Sequence, residues 1–324
     1  MLSGRPVLVA VLGPTATGKS AIAMAVARHF GGEIVACDST AVYRGFDIGT
    51  DKVPAAEQQG IAHHLVDVAD PTEVYTAARY AAEAARAVRD IHARGRLPVL
   101  AGGTGFYFRA LTRGLFPGPA ADEAVRARLE RVAARRGDRA LHRWLARVDP
   151  PAAARIRPGD RKRMVRALEV YLLTGRPLTA HFADTITPLP DVDVVAVGLR
   201  LPADLLAERL ARRVDAQLAG GLEAEVRRLL AAGVPRSARP FGGLVYRQMV
   251  DYLDGVRGLA ETRALIVQEN RRYARRQLIW FRKEPTLMWF DGPGETASAA
   301  ARVIDYLGSR GLHQPRSDAG DGRR

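Results

Sequence analysis

The sequence predicts an α/β fold in which a P-loop parallel sheet forms the core and an all-helical region is inserted into it. The first observation is an apolar segment, VLVAVL, that continues directly into the glycine-rich segment Gly13–Ser20 and then into a helical pattern. The second is a series of short apolar strands alternating with helices, which is typical of parallel sheets covered on both faces. The third is the stretch from residue 117 to 190, where strand patterns disappear and arginine-rich helical patterns follow one another.

The first part of the core, residues 1–116, contains four predicted strands: VLVAVL, EIVAC, HHLVDV and LPVLAGG. A helix is predicted from the glycine-rich segment to Phe30, and another over TAARYAAEAARAVRDIHARG, which ends at Gly95. Short apolar strands separated by helices and by glycine or polar loops indicate βα units, so these strands should lie parallel in one sheet.

The inserted region, residues 117–190, is predicted to be helical over AADEAVRARLERVAARRG, DRALHRWLARV and RKRMVRALEVYLLTG. The core resumes over residues 191–311 with the strand DVDVVAVGLRL and a helix from about Ala203 that breaks at Gly220-Gly221 before a further helix. A long basic helix from Ala260 to about Lys283, the strand TLMWF and a last helix from Glu295 to Leu307 follow. Residues 312–324 are polar and glycine-containing and are predicted to form a disordered tail.

Composition excludes several classes of protein. With 324 residues, 47% of them hydrophobic and 26% charged, the chain can bury a core and is neither fibrous nor disordered throughout. The single cysteine, Cys37, excludes an internal disulfide and any zinc site made of paired cysteines. No apolar stretch approaches the roughly eighteen residues of a membrane span, and the first residues show no cleavage site. We therefore expect a cytoplasmic protein, a monomer without a membrane partner.

The chain is strongly basic, with 49 Lys and Arg against 35 Asp and Glu, and this favours a polyanionic partner such as nucleic acid. Nearly all of the positive charge is arginine, so a general composition bias is an alternative explanation, and the grouping of the charges has to decide. Arg161, Lys162, Arg163 and Arg166 open one amphipathic helix, and ENRRYARRQLIWFRK forms a second basic group with interleaved aromatic residues. Two dense groups suit contacts with a phosphate backbone, although a solvated charged face is the alternative for each.

The most specific motif matches G-x-x-x-x-G-K-[ST] directly after a strand and before a helix, as a phosphate-binding P-loop requires. Its candidate ligand-binding residues are Gly13, Pro14, Thr15, Ala16, Thr17, Gly18, Lys19 and Ser20. The glycines let backbone N–H groups turn toward phosphate oxygens, and Lys19 adds a mobile positive charge. The hydroxyl of Ser20 is the predicted ligand for Mg²⁺. The loop alone does not identify the phosphate compound.

Asp38 follows the second predicted strand, so it should face the same crevice as the P-loop. One interpretation is that Asp38 holds Mg²⁺ for phosphoryl transfer from a nucleotide. The other is that its carboxylate accepts a proton from an attacking nucleophile. Its position in the sequence leaves both interpretations open.

A series of segments in one order distinguishes this chain from other P-loop proteins. It contains GPTATGKS, DSTAVYRGFDIGTDK, HHLVD, AGGTGFY, RKRMVRALEVY, VGLRL with RLARRVD, GGLEAEV and ARRQLIWFR, spread over most of its length. This series resembles the tRNA dimethylallyltransferase family, the tRNA isopentenyltransferases that prenylate an adenine beside the anticodon. The resemblance implies that dimethylallyl diphosphate, assisted by Mg²⁺, is the donor in the P-loop and that the adenine N6 amine is the acceptor.

The resemblance also implies roles for single residues. Asp38 would be the general base, with Thr17 and Arg213 acting at the diphosphate. The implied contacts with the tRNA anticodon stem-loop are Asp38, Ser39, Thr40, Ala41, Thr104, Arg126, Lys162, Arg163, Met164, Val165, Arg166, Arg272 and Arg276. Two departures from the family pattern affect recognition of the adenine and RNA. Thr40 and Ala41 replace a Met-Gln pair, which removes a side-chain amide, and Val245 replaces a glycine.

Two other functions remain open at the level of the sequence. A nucleotide-type kinase would bind ATP in the P-loop and use Asp38 to position a phosphoryl acceptor. A non-catalytic RNA-binding protein would keep the basic groups and carry a P-loop without activity. The tRNA dimethylallyltransferase activity is the interpretation that accounts for all of the segments together.

Overall fold

The computed structural model describes residues 4–314. These residues divide into two compact units, Arg113–Pro188 forming one and the residues before and after it the other. Among residues 4–314, no helix combines the length and the apolar character needed to cross a bilayer. Most of the predicted tail, residues 315–324, lies outside the described part of the chain, while Leu312 at its start is buried.

The first unit is built on a sheet of six strands, all of them parallel: β1 (Val7–Leu12), β2 (Gly32–Cys37), β3 (His63–His64), β4 (Leu97–Gly102), β5 (Asp193–Arg200) and β6 (Leu287–Asp291). Their order is β3-β2-β4-β1-β5-β6. The predicted α/β fold with a parallel sheet is confirmed. Because every strand runs in the same direction, the loops that follow β1, β2 and β4 emerge side by side at one edge.

Both faces of this sheet are buried, as the alternation of apolar residues along β1 shows. Leu8, Ala10 and Leu12 pack into the core on one face. Val9 and Val11 pack into the core on the other face, beneath helices at the beginning and the end of the chain. A continuous apolar strand such as VLVAVL is therefore explained by burial from both sides.

Twelve α-helices accompany the strands in residues 4–314: α1 (Lys19–Phe30), α2 (Ala77–Ala93), α3 (Gly105–Arg113), α4 (Glu123–Arg136), α5 (Asp138–Val148), α6 (Pro150–Arg155), α7 (Arg161–Thr174), α8 (Ala203–Ala219), α9 (Leu222–Ala231), α10 (Leu244–Leu253), α11 (Leu259–Phe281) and α12 (Ala297–Ser309). The sequence did not predict α3, α6 or α10. Each of these three is only six to ten residues long, too short for a clear periodic signal.

The second unit consists of α4–α7 around its own apolar core, with Leu129, Leu141, Leu145 and Leu168 fully buried. Aspartate side chains cap the starts of three of these four helices, α4, α6 and α7. Asp122 accepts a hydrogen bond from the Val125 N–H at 2.9 Å at the start of α4, and Asp160 caps α7 in the same way. The predicted helical character of this stretch is thus present within the unit.

The predicted strand HHLVDV is wrong for most of its length. Only His63–His64 pairs with β2, opposite Ile34 and Val35. Leu65 and Asp67 have positive φ angles of 62° and 56°, which take the backbone out of the extended conformation. The apolar pattern of this segment reflects burial of Leu65 in the core and not a longer strand.

Candidate active site

The P-loop joins β1 to α1, and its two outer glycines are required by close packing. At Gly13, which has a φ of 138°, a Cβ atom would lie 2.5 Å from the carbonyl oxygen of Leu199. At Gly18, which has a φ of 87°, it would lie 2.6 Å from the backbone nitrogen of Gly294. No side chain fits at either position, so the motif glycines fix the path of the loop.

Hydrogen bonds inside the P-loop hold it without any ligand. Thr17 is fully buried, and its hydroxyl donates to the Pro14 carbonyl oxygen at 2.9 Å, so this side chain braces the loop. The Lys19 ammonium donates to the same oxygen at 2.6 Å. Ser20 is exposed at the first turn of α1, where its hydroxyl is accessible to a ligand.

Lys19 is the most perturbed cation of this site. Burial is the main reason that its pKa falls from 10.5 to about 7, and the positive charge of Arg213 lowers it further. The carboxylate of Asp38 acts in the opposite direction and favours the charged amine. The P-loop lysine, Arg213 and Asp38 therefore share one electrostatic site at the carboxyl edge of the sheet. The strand positions predict this for Asp38 and the P-loop, whereas for Arg213 only the family resemblance implied it.

Asp38 begins the loop after β2 and uses one carboxylate oxygen to fold that loop. Its Oδ1 accepts hydrogen bonds from the Thr40 N–H at 2.8 Å, the Thr40 hydroxyl at 3.0 Å and the Ala41 N–H at 3.2 Å. Its Oδ2 has no hydrogen-bond donor within the described part of the chain. One oxygen thus orients the carboxylate, and the other is available to accept a proton from a ligand. The backbone amides of Thr40 and Ala41 are committed to Asp38.

The turn after β4 packs directly against the Asp38 loop. The Thr104 N–H donates to the Cys37 carbonyl oxygen at 3.1 Å, and the Thr104 hydroxyl accepts from the Ser39 N–H at 3.2 Å. A Cβ atom at Gly102 would lie 2.1 Å from the Cys37 carbonyl oxygen, so the two loops could not approach as closely with a larger residue. Thr104, which the resemblance implied as a tRNA contact, is thereby fixed beside the Asp38 loop.

Arg213 is held by an acidic residue that sequence reasoning missed. Its guanidinium forms an ion pair with Asp51, whose other oxygen accepts from the Gln217 side-chain amide at 2.8 Å. The loop that carries Asp51 is fixed in turn by the buried Glu225, which accepts from the N–H groups of Asp47 and Ile48 at 3.0 and 2.8 Å. These partners are more than 160 residues apart, which is why no local pattern indicates them.

A second missed residue is Gln277 on α11. Its side chain accepts from the Thr15 N–H at 2.9 Å and donates to the Gly103 carbonyl oxygen at 3.0 Å, so it joins the P-loop to the turn after β4. Its only signal in the sequence is that it lies within the segment ARRQLIWFR.

The remaining predicted RNA contacts differ in their exposure. The basic residues in the second half of α11 and at the two positions after it are all exposed: Arg271, Arg272, Arg275, Arg276, Arg282 and Lys283. Of these, Arg272 pairs with Glu269 at 2.8 Å and Arg276 lies over the Tyr273 ring. The basic face that the sequence predicts for this helix is present and open to a large partner.

On α7 the picture is different. Met164 and Val165 are buried in the core of the second unit, so RNA could reach only their backbone. Arg126 and Arg166 both bind the fully buried carboxylate of Glu169, at 2.8 and 2.7 Å, and Arg166 also donates to the Pro119 carbonyl oxygen. Lys162 and Arg163 are exposed.

A P-loop motif at the edge of a six-stranded parallel sheet, with a carboxylate close enough to act on its lysine, defines a P-loop α/β protein. Comparison with known proteins gives the family. The model of the IPP transferase family matches residues 41–284. A tRNA dimethylallyltransferase of Geobacter metallireducens is 45% identical over 304 residues, covering 92% of this chain and 97% of the relative. The enzyme of that name from Thermomicrobium roseum is 45% identical over 324 residues, covering 99% of this chain and 95% of the relative.

Solved structures agree. The tRNA isopentenylpyrophosphate transferase of Bacillus halodurans superposes with a TM-score of 0.70 at 37% identity, covering 94% of this chain and 97% of that one. A eukaryotic dimethylallyltransferase described as acting on tRNA gives a TM-score of 0.76 at 25% identity, covering 96% and 82%. The chain therefore belongs to the IPP transferase family, as the resemblance predicted. These similarities do not favour the kinase or the non-catalytic RNA-binding protein.

Proposed function

We propose that this protein transfers a dimethylallyl group from dimethylallyl diphosphate to the N6 amine of the adenine adjacent to the anticodon in tRNA, releasing diphosphate. The observation that carries the proposal is the position of the P-loop after β1 and of Asp38 after β2, two parallel strands on either side of β4, with the Asp38 carboxylate close enough to favour the charged form of Lys19. It brings an anion-binding group and a proton acceptor to one place, which a displacement of diphosphate by an amine requires. The relatives named tRNA dimethylallyltransferase support the same reaction.

The reaction makes one bond and breaks one. The N6 lone pair of adenine forms a bond to the allylic carbon while the bond from that carbon to the diphosphate oxygen breaks. The exocyclic amine is a poor nucleophile because its lone pair is delocalised into the ring, so proton removal has to accompany attack. The free Oδ2 of Asp38 takes this proton, while Oδ1 stays bound to Thr40 and keeps the carboxylate oriented.

The P-loop stabilises the charge that develops on the leaving diphosphate. Its backbone N–H groups and the start of α1 favour an anion, with the exception of the Thr15 N–H, which Gln277 occupies. Lys19 serves as a full positive charge when its amine is protonated, and an ammonium has two further N–H donors besides the one bound to the Pro14 carbonyl oxygen. Arg213, held by Asp51, lies close enough to affect the pKa of Lys19 and would add a second positive charge.

The protein oxygens at this site fit Mg²⁺ bound mainly through the substrate. No group of three or more His, Cys, Asp or Glu side chains suited to a metal occurs within residues 4–314. The exposed hydroxyl of Ser20 supplies one hard oxygen ligand, and diphosphate oxygens and water would supply the rest, as is usual for Mg²⁺ at phosphate sites. When bound, the ion would offset negative charge on the diphosphate.

Recognition of the tRNA would use two surfaces. The loop Asp38–Ala41 and Thr104 would contact the adenine, and because Ala41 has no side-chain amide, backbone groups such as carbonyl oxygens would read the base edge. The exposed arginines of α11 would bind the phosphate backbone of the anticodon stem-loop. We place the activity in the cytoplasm, in keeping with a single cysteine that is free and buried. We also propose that the protein is a monomer, which light scattering during gel filtration tests.

The test is an assay of the purified protein with unmodified tRNA, Mg²⁺ and dimethylallyl diphosphate, followed by mass analysis of the nucleosides. We expect N6-dimethylallyladenosine from tRNA that carries adenine next to the anticodon and none from tRNA that lacks it. A parallel reaction with ATP in place of the prenyl donor is the control. Consumption of ATP without prenylated product would contradict the proposal and favour a kinase.

A further inference from the structure

The side chain of Gln277 forms two hydrogen bonds, one to the P-loop and one to the turn after β4. It is 6% exposed, and its partners, Thr15 and Gly103, lie 262 and 174 residues away in the chain. Both partners are backbone groups of fixed character: an N–H can only donate, and a carbonyl oxygen can only accept. The side-chain amide therefore has one possible orientation, with Oε1 toward Thr15 and Nε2 toward Gly103.

The two loops joined in this way carry the two substrates in the proposed reaction. Thr15 belongs to the diphosphate loop, and Gly103 precedes Thr104 on the side of the acceptor base. At Gly103, a Cβ atom would lie 2.2 Å from Nε2 of Gln277, so the glycine permits this close approach. Beyond the pairing of β1 with β4, which ends at Leu12 and Gly102, the two loops are thus joined by one buried side-chain amide.

The helix that carries Gln277 also touches the acceptor side one turn earlier. Tyr273 lies close enough to Thr104 and Asp38 for both to affect its titration, and burial together with the Asp38 charge raises its pKa to about 12, so it stays a neutral phenol. On the exposed side of the same helix lie Arg272 and Arg276. One rigid helix therefore holds the base-side turn, the P-loop and the basic surface together.

We propose that Gln277 is a positioning residue that sets the distance and angle between the allylic carbon in the P-loop and the adenine amine beside Asp38. The inference rests on the proposed function. In a displacement, the two reacting atoms have to be aligned closely, and a misplacement of about 1 Å can lower the rate about a hundredfold. Gln277 contacts neither reacting atom, so its loss should slow turnover more than it weakens the binding of either substrate.

The main test compares Gln277→Met with wild type in the prenyl-transfer assay. Methionine has a similar length but can neither accept from Thr15 nor donate to Gly103. We expect kcat to fall about tenfold to a hundredfold, while KM for dimethylallyl diphosphate and for tRNA changes by less than about threefold. The matched control is Gln268→Met, the same change at an exposed position of α11, which should leave kcat unchanged.

A second variant separates positioning from a loss of structure. In Gln277→Glu, the neutral carboxyl group can accept from Thr15 and donate to Gly103, while the ionised form repels the Gly103 carbonyl oxygen. The ratio of variant to wild-type kcat should therefore approach one at low pH and fall as the pH rises through the pKa of the new, buried carboxyl group. Lys19, Asp38, Tyr273 and Arg276 are ionisable groups close to the joined loops that both proteins share, so the ratio removes the part of their titration that is common to the two proteins.

The outcomes separate this inference from the proposed function. If wild type turns over and Gln277→Met has the same kcat, or if Gln277→Glu shows a ratio independent of pH, Gln277 is not a positioning residue and the proposed function stands. If kcat and both KM values change together with a lower melting temperature, Gln277 serves the fold alone, which also overturns the inference. A wild-type protein without turnover overturns the proposed function and this inference with it.

Discussion

The carboxyl edge of the sheet and the basic helix surfaces both concentrate charge, but they do so in opposite ways. At the edge, a few charged groups are held by specific partners: Asp38 by its own loop, Lys19 by the Pro14 carbonyl oxygen and Arg213 by Asp51. On α11, Arg271, Arg272, Arg275 and Arg276 are exposed, and within residues 4–314 only Arg272 of these four forms an ion pair. The first arrangement fixes geometry and shifts a pKa, and the second provides charge over a wide area.

This difference indicates which region should govern turnover and which should govern binding. A charge that is oriented and partly dehydrated acts strongly on one atom of a substrate. Exposed charges are screened by salt and contribute to affinity through the number of phosphates that they contact. Substitutions at the edge should therefore change kcat by large factors, and those on the helices should change the salt dependence of tRNA binding.

The largest effect is expected at Asp38. Asparagine keeps an oxygen that accepts from the N–H groups of Thr40 and Ala41, so the loop should remain folded, but it cannot accept a proton. We expect Asp38→Asn to lower kcat about a hundredfold to ten-thousandfold, the usual contribution of a general base. Single-turnover rates with tRNA and dimethylallyl diphosphate provide the measurement.

Asp38→Ala, which also removes the hydrogen bonds to the loop, should be at least as slow and should in addition weaken tRNA binding. If Asp38→Asn turns over at the wild-type rate, the expectation that the carboxyl edge of the sheet governs turnover is wrong for Asp38. That expectation is also wrong if Asp38→Asn binds tRNA more weakly but keeps the wild-type rate at saturating tRNA.

Lys19 should make diphosphate binding depend on pH. Its pKa is lowered to about 7 in the free protein, so the amine is increasingly neutral as the pH rises above that value. Bound diphosphate favours the protonated, charged form of Lys19. Above the pKa of the free protein, Lys19 therefore has to take up a proton when the diphosphate binds. The affinity for inorganic diphosphate should therefore fall as the pH rises, by up to about tenfold per pH unit for one proton. Titration calorimetry in buffers of different ionisation enthalpy measures both quantities.

Lys19→Arg is the matched control, because a guanidinium stays charged throughout this range. The ligand titrates identically with both proteins, so only the difference between them reports on Lys19. Equal pH profiles for wild type and Lys19→Arg would mean that the amine is already fully charged before the anion arrives.

The same comparison explains which features the sequence could predict. The P-loop, Asp38 and Thr104 each follow a strand with a strong local pattern, and parallel strands place such positions together, so this half of the site is predictable. Asp51, Glu225 and Gln277 act on groups more than 160 residues away and have no local pattern of their own. The segment HHLVDV shows the converse, since its apolar pattern predicted a strand that the positive φ of Leu65 interrupts.

A smaller effect is expected from Arg272 and Arg276. Replacing both by alanine should reduce the steepness with which the logarithm of the tRNA association constant falls with the logarithm of the salt concentration. The expected reduction is about 0.7 to 0.9 for each phosphate that the protein no longer binds, and kcat at saturating tRNA should stay unchanged. Filter-binding or fluorescence titrations over a range of salt concentrations measure the slope. Arg227→Ala with Arg228→Ala, two exposed arginines on α9, removes the same net charge and is the control. Identical slopes for the two double variants would mean that α11 contributes only to the general positive charge.

The smallest effect should come from α7, where neighbouring basic residues have different partners. Arg161 forms ion pairs with Asp138 at 2.6 Å and Glu130 at 3.5 Å, whereas exposed Lys162 has no acidic partner within residues 4–314. If Lys162 binds a phosphate, Lys162→Ala should reduce the salt slope by the amount expected for about one phosphate, and Arg161→Ala should leave the slope unchanged but lower the melting temperature of the protein.

An equal reduction of the slope in the two variants would mean that the ion pairs of Arg161 open when tRNA binds. In that case the acidic neighbours of α7 would act as competitors for its arginines, and Asp138→Asn should raise tRNA affinity. The alternative result is that Asp138→Asn binds tRNA with unchanged affinity while Lys162→Ala shows a smaller salt slope. It would show that, in this run of basic residues, RNA is bound by those without an acidic partner, such as Lys162, and not by those in ion pairs, such as Arg161.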